Sequence, residues 1–237
     1  MLKKPDATNF AKKNIIHPFE DSSSLEFFSE KQDASLFVVG SHSKKRPNNL
    51  TFARMFDNKL LDMMEFGVLN YLACQEFKVK RPIPVSPPCP FDGIDVQNQG
   101  ATAGLRPLLT FSGALFDVHP RYQHLKLFMM DFFRGQTVEA MELEGLEYVI
   151  SLTVAEQESQ PVDTAKEDLP PVHFRVYILR SKRVRGSKFP RVELEEMGPR
   201  MDLKLGRYKD ANPEIMALAL KKPKDREVCA SFLFIPF

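Results

Sequence analysis

The chain has 237 residues, of which 43% are hydrophobic and 27% are charged, values typical of a globular protein. This composition excludes wholesale disorder, and the length accommodates one large domain or two small ones. The net charge of +2 conceals a reversal. Nine acidic residues and one lysine lie between Glu139 and Asp168, whereas seven basic residues and no acid lie between His173 and Arg191.

No apolar run approaches the ~18 residues of a membrane span, and the first residues lack the apolar stretch of a secretory signal. The cysteines, Cys74, Cys89 and Cys229, show neither metal-ligand spacing nor a disulfide framework. We therefore expect reduced thiols, a cytosolic or nuclear compartment and no membrane partner.

The first elements are predicted from short local patterns. Residues 1–20 are polar and basic, and we expect a loop or tail. Ser23 and Glu26 have the spacing of a capping box, which predicts a short helix to about Gln32. Residues 36–39 form a compact apolar run, which predicts a buried strand.

A polar loop, 41–49, follows this strand and contains three consecutive cations. Residues 50–56 predict a strand in narrow preference to a helix, because Thr and Phe are strand formers and the segment is short. The segment 58–68 is ambiguous. Six prolines in 80–107 predict a long irregular connection, which is the best candidate for a boundary between two halves.

Residues 107–111 predict a further short strand. The clearest helix is predicted at 120–134, where apolar residues recur at three- and four-residue spacing and bury one face. Gly135 would end this helix. Asn212 and the proline after it predict the start of a last helix.

Clean alternation of apolar and polar residues predicts strands at 146–154 and 172–178, joined as an antiparallel hairpin by an acidic loop, 155–171. Segments 192–195 and 201–205 also alternate, on either side of a Gly-Pro turn. The hairpin would bring the acidic and basic blocks together in space. We therefore expect the acidic run to screen the cations.

Motifs for catalysis are missing. The sequence contains no phosphate loop, no dinucleotide-binding glycine pattern and no serine-nucleophile motif. The five histidines have no paired-ligand spacing, and the acidic pairs are better explained as solvated faces than as general acid and base. We predict no catalytic residue, no metal, no cofactor and no enzyme activity.

Two cationic sites are candidates for nucleic-acid binding. The first comprises Ser41, His42, Ser43, Lys44, Lys45 and Arg46. Hydroxyl and backbone donors beside cations can hold phosphate oxygens in place. The alternative interpretation of this loop is a solvated turn or part of a nuclear-import signal.

The second cationic site comprises Arg180, Lys182, Arg183, Arg185, Lys188 and Arg191. These cations have no acidic neighbour in the sequence and would repel one another unless an anion binds. Few aromatic residues lie among them, which favours recognition of a phosphate backbone or of shape over base stacking. The alternative interpretation is a protein-docking surface.

Three stretches resemble the Brix-domain family, namely FVVGSHSKKRPNNLTFARMFD, GLRPLLTFSGALFDVHPRYQHLKLFMMDFFRG and VELEEMGPRMDLKLGR. The third stretch contains the sigma-like element of that family, which comprises Glu196, Gly198, Pro199 and Arg200. The resemblance spans about residues 12–224. It implies an α/β Brix fold, related to anticodon-binding domains, with two similar halves at 21–95 and 105–224. Its sheets would be mixed and mainly antiparallel, with packed helices.

The resemblance also implies a non-enzymatic nucleolar assembly factor for the large (60S) ribosomal subunit. Such a factor would bind 5S rRNA and pre-rRNA, a regulator-of-ribosome-synthesis protein and the ribosomal proteins of the 5S particle. The family pattern assigns RNA contact to Lys44, Lys45 and Arg46, and then to the second cationic site. The alternative is a protein-interaction scaffold of the pre-ribosome with only incidental RNA contact.

The ends of the chain depart from the family pattern. A basic tail, a strand and a helix normally precede the segment that begins here at Met1, so we expect the first half to lack them. A Lys-rich tail normally follows the position of Lys224, whereas residues 225–237 are largely apolar and form an atypical C-terminal segment.

Overall fold

A computed structural model of the chain describes residues 8, 10, 16–77, 106–133, 146–154, 169–182 and 191–221. Eight strands and four α-helices lie within these residues. In chain order they are α1 (Ser23–Gln32), β1 (Leu36–Ser41), β2 (Asn49–Phe56), β3 (Lys59–Leu72), β4 (Leu108–Ser112), α2 (Leu115–Val118), α3 (Pro120–Phe133), β5 (Tyr148–Val154), β6 (Val172–Lys182), β7 (Arg191–Glu196), β8 (Arg200–Lys209) and α4 (Pro213–Ala219). The predicted α/β class is confirmed.

The eight strands form one sheet with the order β1-β2-β3-β8-β6-β5-β4, and β7 also pairs with β6. Only β4 and β5 are parallel among these pairs, so the described sheet is mixed and mainly antiparallel, as expected. The pairing of β3 with β8 joins strands that are far apart in the sequence. The ambiguous segment 58–68 proves to be most of β3.

Helix α1 is present as predicted, but its predicted capping box is wrong. The residue before the helix is Ser22, and Ser23 lies in the first turn. The Ser23 hydroxyl donates to Asp21 Oδ2 (2.6 Å), and Asp21 Oδ1 accepts the backbone N–H of Ser23 (2.9 Å). Glu26 instead accepts from the Ser22 hydroxyl (3.4 Å). The carboxylate of Asp21 therefore accepts the backbone N–H of Ser23, a role that the capping-box spacing had assigned to Glu26.

Strand β1 is confirmed, but the prediction that it is buried is wrong. It lies at the edge of the described sheet and pairs only with β2. Val38 is 52% exposed and Leu36 is 37% exposed, whereas Phe37 between them is buried. A compact apolar run resembles a central strand in the sequence, but at an edge only alternate side chains reach the core.

Helix α3 is the predicted amphipathic helix and covers one face of the sheet, which we call the α3 face. Its buried side chains are Tyr122, Leu125, Phe128, Met129 and Phe133. They belong to the same core cluster as Ile150 and Leu152 of β5 and Val176 of β6. Helix α1 packs on the opposite face, the α1 face, where Leu25 shares a second cluster with Met63 of β3.

A buried carboxylate joins α3 to the sheet. Asp62 of β3 is fully buried, accepts from Arg54 Nε (2.8 Å) and lies 2.9 Å from His124 Nε2 on α3. The Tyr208 hydroxyl of β8 lies 2.9 Å from His124 Nδ1. Burial alone would raise the pKa of Asp62, but hydrogen bonds from Arg54 and His124 keep it below its ordinary value. This network fixes α3 over β2, β3 and β8.

Strands β5 and β6 form the predicted antiparallel hairpin, and β6 then uses two partners along its other edge. Strand β8 pairs with Val172–Phe174, and β7 pairs with Tyr177–Lys182. Because both are antiparallel to β6, β7 and β8 run in the same direction. Gly198 and Pro199 therefore do not reverse the chain, so the predicted turn is wrong. A β6 of eleven residues is long enough to hold both strands.

The other predicted elements are confirmed with small changes at their ends. The strand at 107–111 is β4, and the strand at 50–56 is β2. Asn212 caps α4, since its side-chain oxygen accepts the backbone N–H of Glu214 (3.0 Å). Gly135, residues 155–168 of the acidic loop and most of 80–107 lie outside the described residues.

Candidate nucleic-acid interface

The first cationic site is the loop between β1 and β2, and its backbone forms a closed turn. The Ser43 N–H donates to the Arg46 carbonyl (3.0 Å), and the Arg46 N–H donates to the Ser43 carbonyl (3.1 Å). The Ser43 hydroxyl oxygen also lies 3.2 Å from the Arg46 nitrogen. Lys44 and Lys45 lie between these two residues and are exposed. The turn therefore presents both lysines to solvent from a fixed backbone.

The base of this loop is held by a second set of contacts. Ser41 is the last residue of β1 and pairs with Asn49 of β2. His42 Nδ1 accepts the backbone N–H of Asn48 (3.3 Å), and Asn48 adopts a left-handed conformation with φ 50°. The polar side chains that the sequence proposed as phosphate donors thus also shape the loop.

A buried carboxylate lies beside the loop on the α1 face. Glu65 of β3 accepts from Arg207 Nε (2.8 Å) and Nη2 (3.1 Å), and from Asn49 Nδ2 (3.1 Å). Arg46 Nη1 lies 4.0 Å from Glu65 Oε2. The ring of Phe19 covers the Arg207 guanidinium, at 4.3 Å from its centre. Two arginines from distant parts of the sequence thus converge on one carboxylate.

Glu65 stays ionised although it is only 3% exposed. Burial alone would raise its pKa, but hydrogen bonds from Arg207 and the charges of Arg207 and Arg46 hold the pKa below its ordinary value. The cluster therefore contains one negative and two positive charges, and the lysines of the loop add two more.

The second cationic site begins on the hairpin of β6 and β7, residues 177–182 and 191–196, which we call the arm. Arg180 Nε lies 2.6 Å from Glu195 Oε2, and Arg191 Nε lies 3.9 Å from Glu193 Oε1. The expectation that this set has no acidic neighbour is therefore wrong for these two residues. The pairing of β6 with β7 brings Glu195 beside Arg180, which is far from it in the sequence, whereas Glu193 and Arg191 are neighbours on β7.

The other members of the second site lie outside the described residues. These are Arg183, Arg185 and Lys188, together with the side chain of Lys182, whose backbone ends β6. Their assignment to RNA contact stays a prediction.

The sigma-like element lies where the chain passes from β7 to β8. The Met197 N–H donates to the Val176 carbonyl (2.9 Å), and Glu196 accepts from Arg200 Nε (2.8 Å). Gly198 has φ 70°, and a Cβ atom there would lie 2.5 Å from the Phe77 ring. Only glycine fits this position without displacement of its neighbours. The element packs against the segment that follows β3.

Strand register places the loop and the arm toward the same end of the sheet. Asn49 is level with Gly67, and Gly67 is level with Lys204, one residue beyond the Leu203–Val172 pair. From that level β6 continues to Lys182, so the tip of the arm lies on the order of 30 Å farther along the strands. The two cationic sites are therefore separate contact regions.

The expectation that the acidic run screens the basic strand stays a prediction, because residues 155–168 lie outside the described residues. One described acid of that run, Glu147, lies beside the arm, since its carbonyl accepts the backbone N–H of Leu179 (2.8 Å). The acids that pair with the described cations of the arm are Glu193 and Glu195 of β7.

Sequence reasoning missed several cations on the α1 face. Lys204 of β8 alternates with Leu203 and Leu205, whose side chains belong to the core cluster of the α3 face, and this alternation is the signal that could have placed Lys204 on the opposite face. Alternation alone would place Arg207 on the face of the two leucines. It reaches the α1 face because the register between β3 and β8 shifts between Met64 and Phe66. Arg175 of β6 donates to Asp202 Oδ1 (2.7 Å) and to the Met201 carbonyl (2.8 Å).

The described part of the chain offers no group of three or more histidine, cysteine or acidic side chains that could hold a metal ion. Among its helices, none is long and apolar enough to cross a membrane.

A family model described as the Brix domain matches residues 1–207. The chain belongs to the Brix-domain family. It is 44% identical over 229 residues to the ribosome production factor 2 homolog of Schizosaccharomyces pombe, an alignment that covers 95% of this chain and 64% of that protein. The ribosome biogenesis protein RPF2 of Saccharomyces cerevisiae is 43% identical over 232 residues, with 96% and 60% covered.

The human ribosome production factor 2 homolog is 42% identical over 223 residues, with 94% of this chain and 62% of that protein covered. The chain thus spans slightly less than two thirds of the length of these relatives. The resemblance to the Brix-domain family is confirmed, and within that family the chain is similar to the ribosome production factor 2 branch.

Proposed function

We propose that the chain is a non-enzymatic assembly factor of the large (60S) ribosomal subunit that binds RNA through its β1–β2 loop. Similarity to proteins named for ribosome production and ribosome biogenesis supports the biological role. The observation that carries RNA binding is the exposure of Lys44 and Lys45. Neither makes an ion pair within the described residues, and both extend from a fixed turn.

In this proposal the RNA is 5S rRNA together with neighbouring pre-rRNA, and the site of action is the nucleolus. The protein partners are a regulator-of-ribosome-synthesis protein and the ribosomal proteins of the 5S particle, which the factor recruits together with 5S rRNA. Recruitment would support pre-rRNA maturation. Recognition rests on phosphates, because cations and not aromatic rings dominate the loop.

The test is equilibrium binding of labelled 5S rRNA to the chain at several salt concentrations. We expect log affinity to fall linearly with log salt, by about 0.9 per phosphate contact for a duplex. Replacement of Lys44, Lys45 and Arg46 by alanine should weaken binding by about 100-fold, or roughly 1 kcal/mol for each charged contact.

A matched control replaces three cations elsewhere, Lys31, Lys59 and Lys126, by alanine and changes the net charge equally. We expect it to lower affinity by less than about fivefold, through the long-range field alone. If the loop variant retains wild-type affinity, and retains it when Arg183 and Arg185 are also replaced, the proposed contact residues are wrong.

A protein-interaction scaffold with incidental RNA contact is the second candidate. Two features of the arm favour this candidate. Acids beside Arg180 and Arg191 reduce its positive charge, and the apolar side chain of Leu194 in β7 is 57% exposed. If purified chain binds the regulator partner but shows no affinity for 5S rRNA at low salt, the scaffold replaces the RNA-binding proposal.

A further inference from the structure

A shallow groove crosses the α1 face of the sheet next to the β1–β2 loop. Asn49 of β2, Gly67 of β3 and Lys204 of β8 are level with one another across three neighbouring strands. Gly67 has no side chain, so the surface of the sheet is lower at Gly67 than at Asn49 and Lys204 on either side. The backbones of β2 and β8 are about 10 Å apart here, since neighbouring strands are ~4.8 Å apart.

The floor of the groove has room above it. A Cβ atom added at Gly67 would meet the Asn49 side chain at 3.6 Å and Lys204 Cβ at 4.0 Å, which are ordinary contact distances. Nothing in the described packing therefore requires glycine here for steric reasons. Strands also disfavour glycine, so its presence is consistent with close approach of another molecule to the backbone.

Both sides of the groove are cationic. The loop supplies Arg46 with its two neighbouring lysines on one side, and β8 supplies Lys204 and Arg207 on the other. Lys204 is exposed, and the side chain of Arg207 is 38% exposed. Within the described residues, the acids that act on Arg207 are Glu65, which the two arginines neutralise, and Glu20.

Arg207 is held in position before any ligand arrives. Glu65 fixes its Nε and Nη2 atoms, and the Phe19 ring lies over its guanidinium plane. Its Nη1 amino group makes no hydrogen bond within the described residues. A guanidinium that is already ordered loses little conformational freedom when it binds phosphate.

We propose that the phosphodiester backbone of an RNA strand lies across Gly67, between the β1–β2 loop and the Lys204 and Arg207 side chains of β8. This inference rests on the proposed RNA-binding function and extends it to a second strand, from the other half of the chain. The ligand is the sugar–phosphate backbone, because Phe19 is the aromatic ring beside the groove in the described structure and it packs on Arg207.

The deciding experiment compares glycine substitutions in two strands. Gly67→Ala and Gly67→Val raise the floor of the groove, and Gly40→Val is the control in β1, where an added Cβ meets nothing within 4 Å. In 5S rRNA binding we expect losses of about threefold for Gly67→Ala and at least about tenfold for Gly67→Val. Gly40→Val should stay within about twofold of the wild type.

A charge substitution tests the β8 side independently. Lys204→Ala should weaken 5S rRNA binding about fivefold and reduce the salt slope by about 0.7 to 0.9. Its control is Lys59→Ala, an equal change of charge at the start of β3, which should leave the slope unaltered. Thermal unfolding of each variant shows that the fold is intact, and Gly67→Ala remains interpretable if Gly67→Val unfolds.

The outcomes separate the groove from the proposed function. Loss of binding in the Lys44/Lys45/Arg46 variant, with wild-type affinity in the Gly67 and Lys204 variants, overturns the groove and leaves RNA binding by the loop intact. Absence of RNA binding by the wild type overturns both. If the Gly67 variants bind RNA normally but no longer bind the regulator partner, the groove is a protein-docking site and the inference is wrong.

Discussion

The β1–β2 loop and the arm are both cationic in the sequence, but the folded chain treats their charges differently. In the loop, Lys44 and Lys45 have no acidic partner within the described residues. In the arm, Arg180 lies 2.6 Å from Glu195, and Arg191 lies within reach of an acid on its own strand. A run of cations in the sequence therefore predicts a binding surface only if it is also known whether the neighbouring strand places acids beside those cations.

The two regions also differ in what holds them. The loop rests on a buried carboxylate, Glu65, which is shared by arginines from β8 and from the loop itself. The base of the arm rests on a glycine, Gly198, that packs directly against Phe77. A substitution at either support should therefore have a distinct signature in stability and in RNA binding.

The largest expected effect on stability is at the base of the arm. Gly198→Ala places a Cβ atom 2.5 Å from the Phe77 ring and in a backbone conformation with φ 70° that alanine disfavours. We expect a loss of about 3 kcal/mol in the free energy of unfolding, measured by urea denaturation. Gly40→Ala, beside the loop, should change it by less than about 0.5 kcal/mol. Equal effects would show that the arm does not depend on this contact.

The next effect concerns the support of the loop. Glu65→Gln leaves Arg207 beside a neutral amide and should lower the free energy of unfolding by about 2 kcal/mol at pH 7. The matched substitution in the arm, Glu195→Gln, removes a pair in which both groups are partly exposed. It should cost less than about 1 kcal/mol. If Glu195→Gln lowered the free energy of unfolding more than Glu65→Gln, the prediction that Glu65 contributes more to stability than the ion pair of the arm would be wrong.

This comparison also has a pH dependence. The pKa of Glu65 is lower in the folded chain than its ordinary value of 4.5. Its contribution to stability is therefore complete above about pH 5 and is lost as the pH falls through the folded-state pKa. The difference in unfolding free energy between wild type and Glu65→Gln should shrink below that pH. A difference that stays constant down to pH 3 would contradict the assigned role of Glu65.

The smallest expected effect tests whether acids suppress RNA binding by the arm. Replacement of Glu193 and Glu195 by glutamine removes the acids that lie within 4 Å of Arg191 and Arg180 in the described structure. We expect 5S rRNA affinity to rise about threefold at low salt, and the gain to vanish at high salt because exposed charges are screened. A decrease in affinity would mean that these acids position the arginines for RNA instead of competing for them.

Local patterns predicted most of the secondary structure correctly. The helix at 120–134 and the strands at 146–154 and 172–178 were recognisable because each buries one face, and burial imposes a period of 3.6 or 2 residues. The same reasoning failed for Leu36 to Val39, where a compact apolar run lies at an edge. It also failed at Ser23, since a neighbouring aspartate competes for the same hydrogen-bond donors.

Some residues of the candidate site could be identified from local sequence patterns, and others could not. Lys44, Lys45 and Arg46 could be identified because they are consecutive and follow a strand. Lys204 and Arg207 could not, because their position beside the loop depends on the pairing of β3 with β8, about 140 residues apart in the chain. No pattern within a short window indicates which distant strand becomes a neighbour.

The sequence by itself determined the α/β class, the main helix, the β5–β6 hairpin and the exposed lysines of the loop, because these depend on contacts between nearby residues. Only the tertiary structure decided that β8 lies between β3 and β6, that β7 brings Glu195 to Arg180, and that Gly67 lies level with Lys204. The physical reason is that register between distant strands is selected by which side chains fill one shared core.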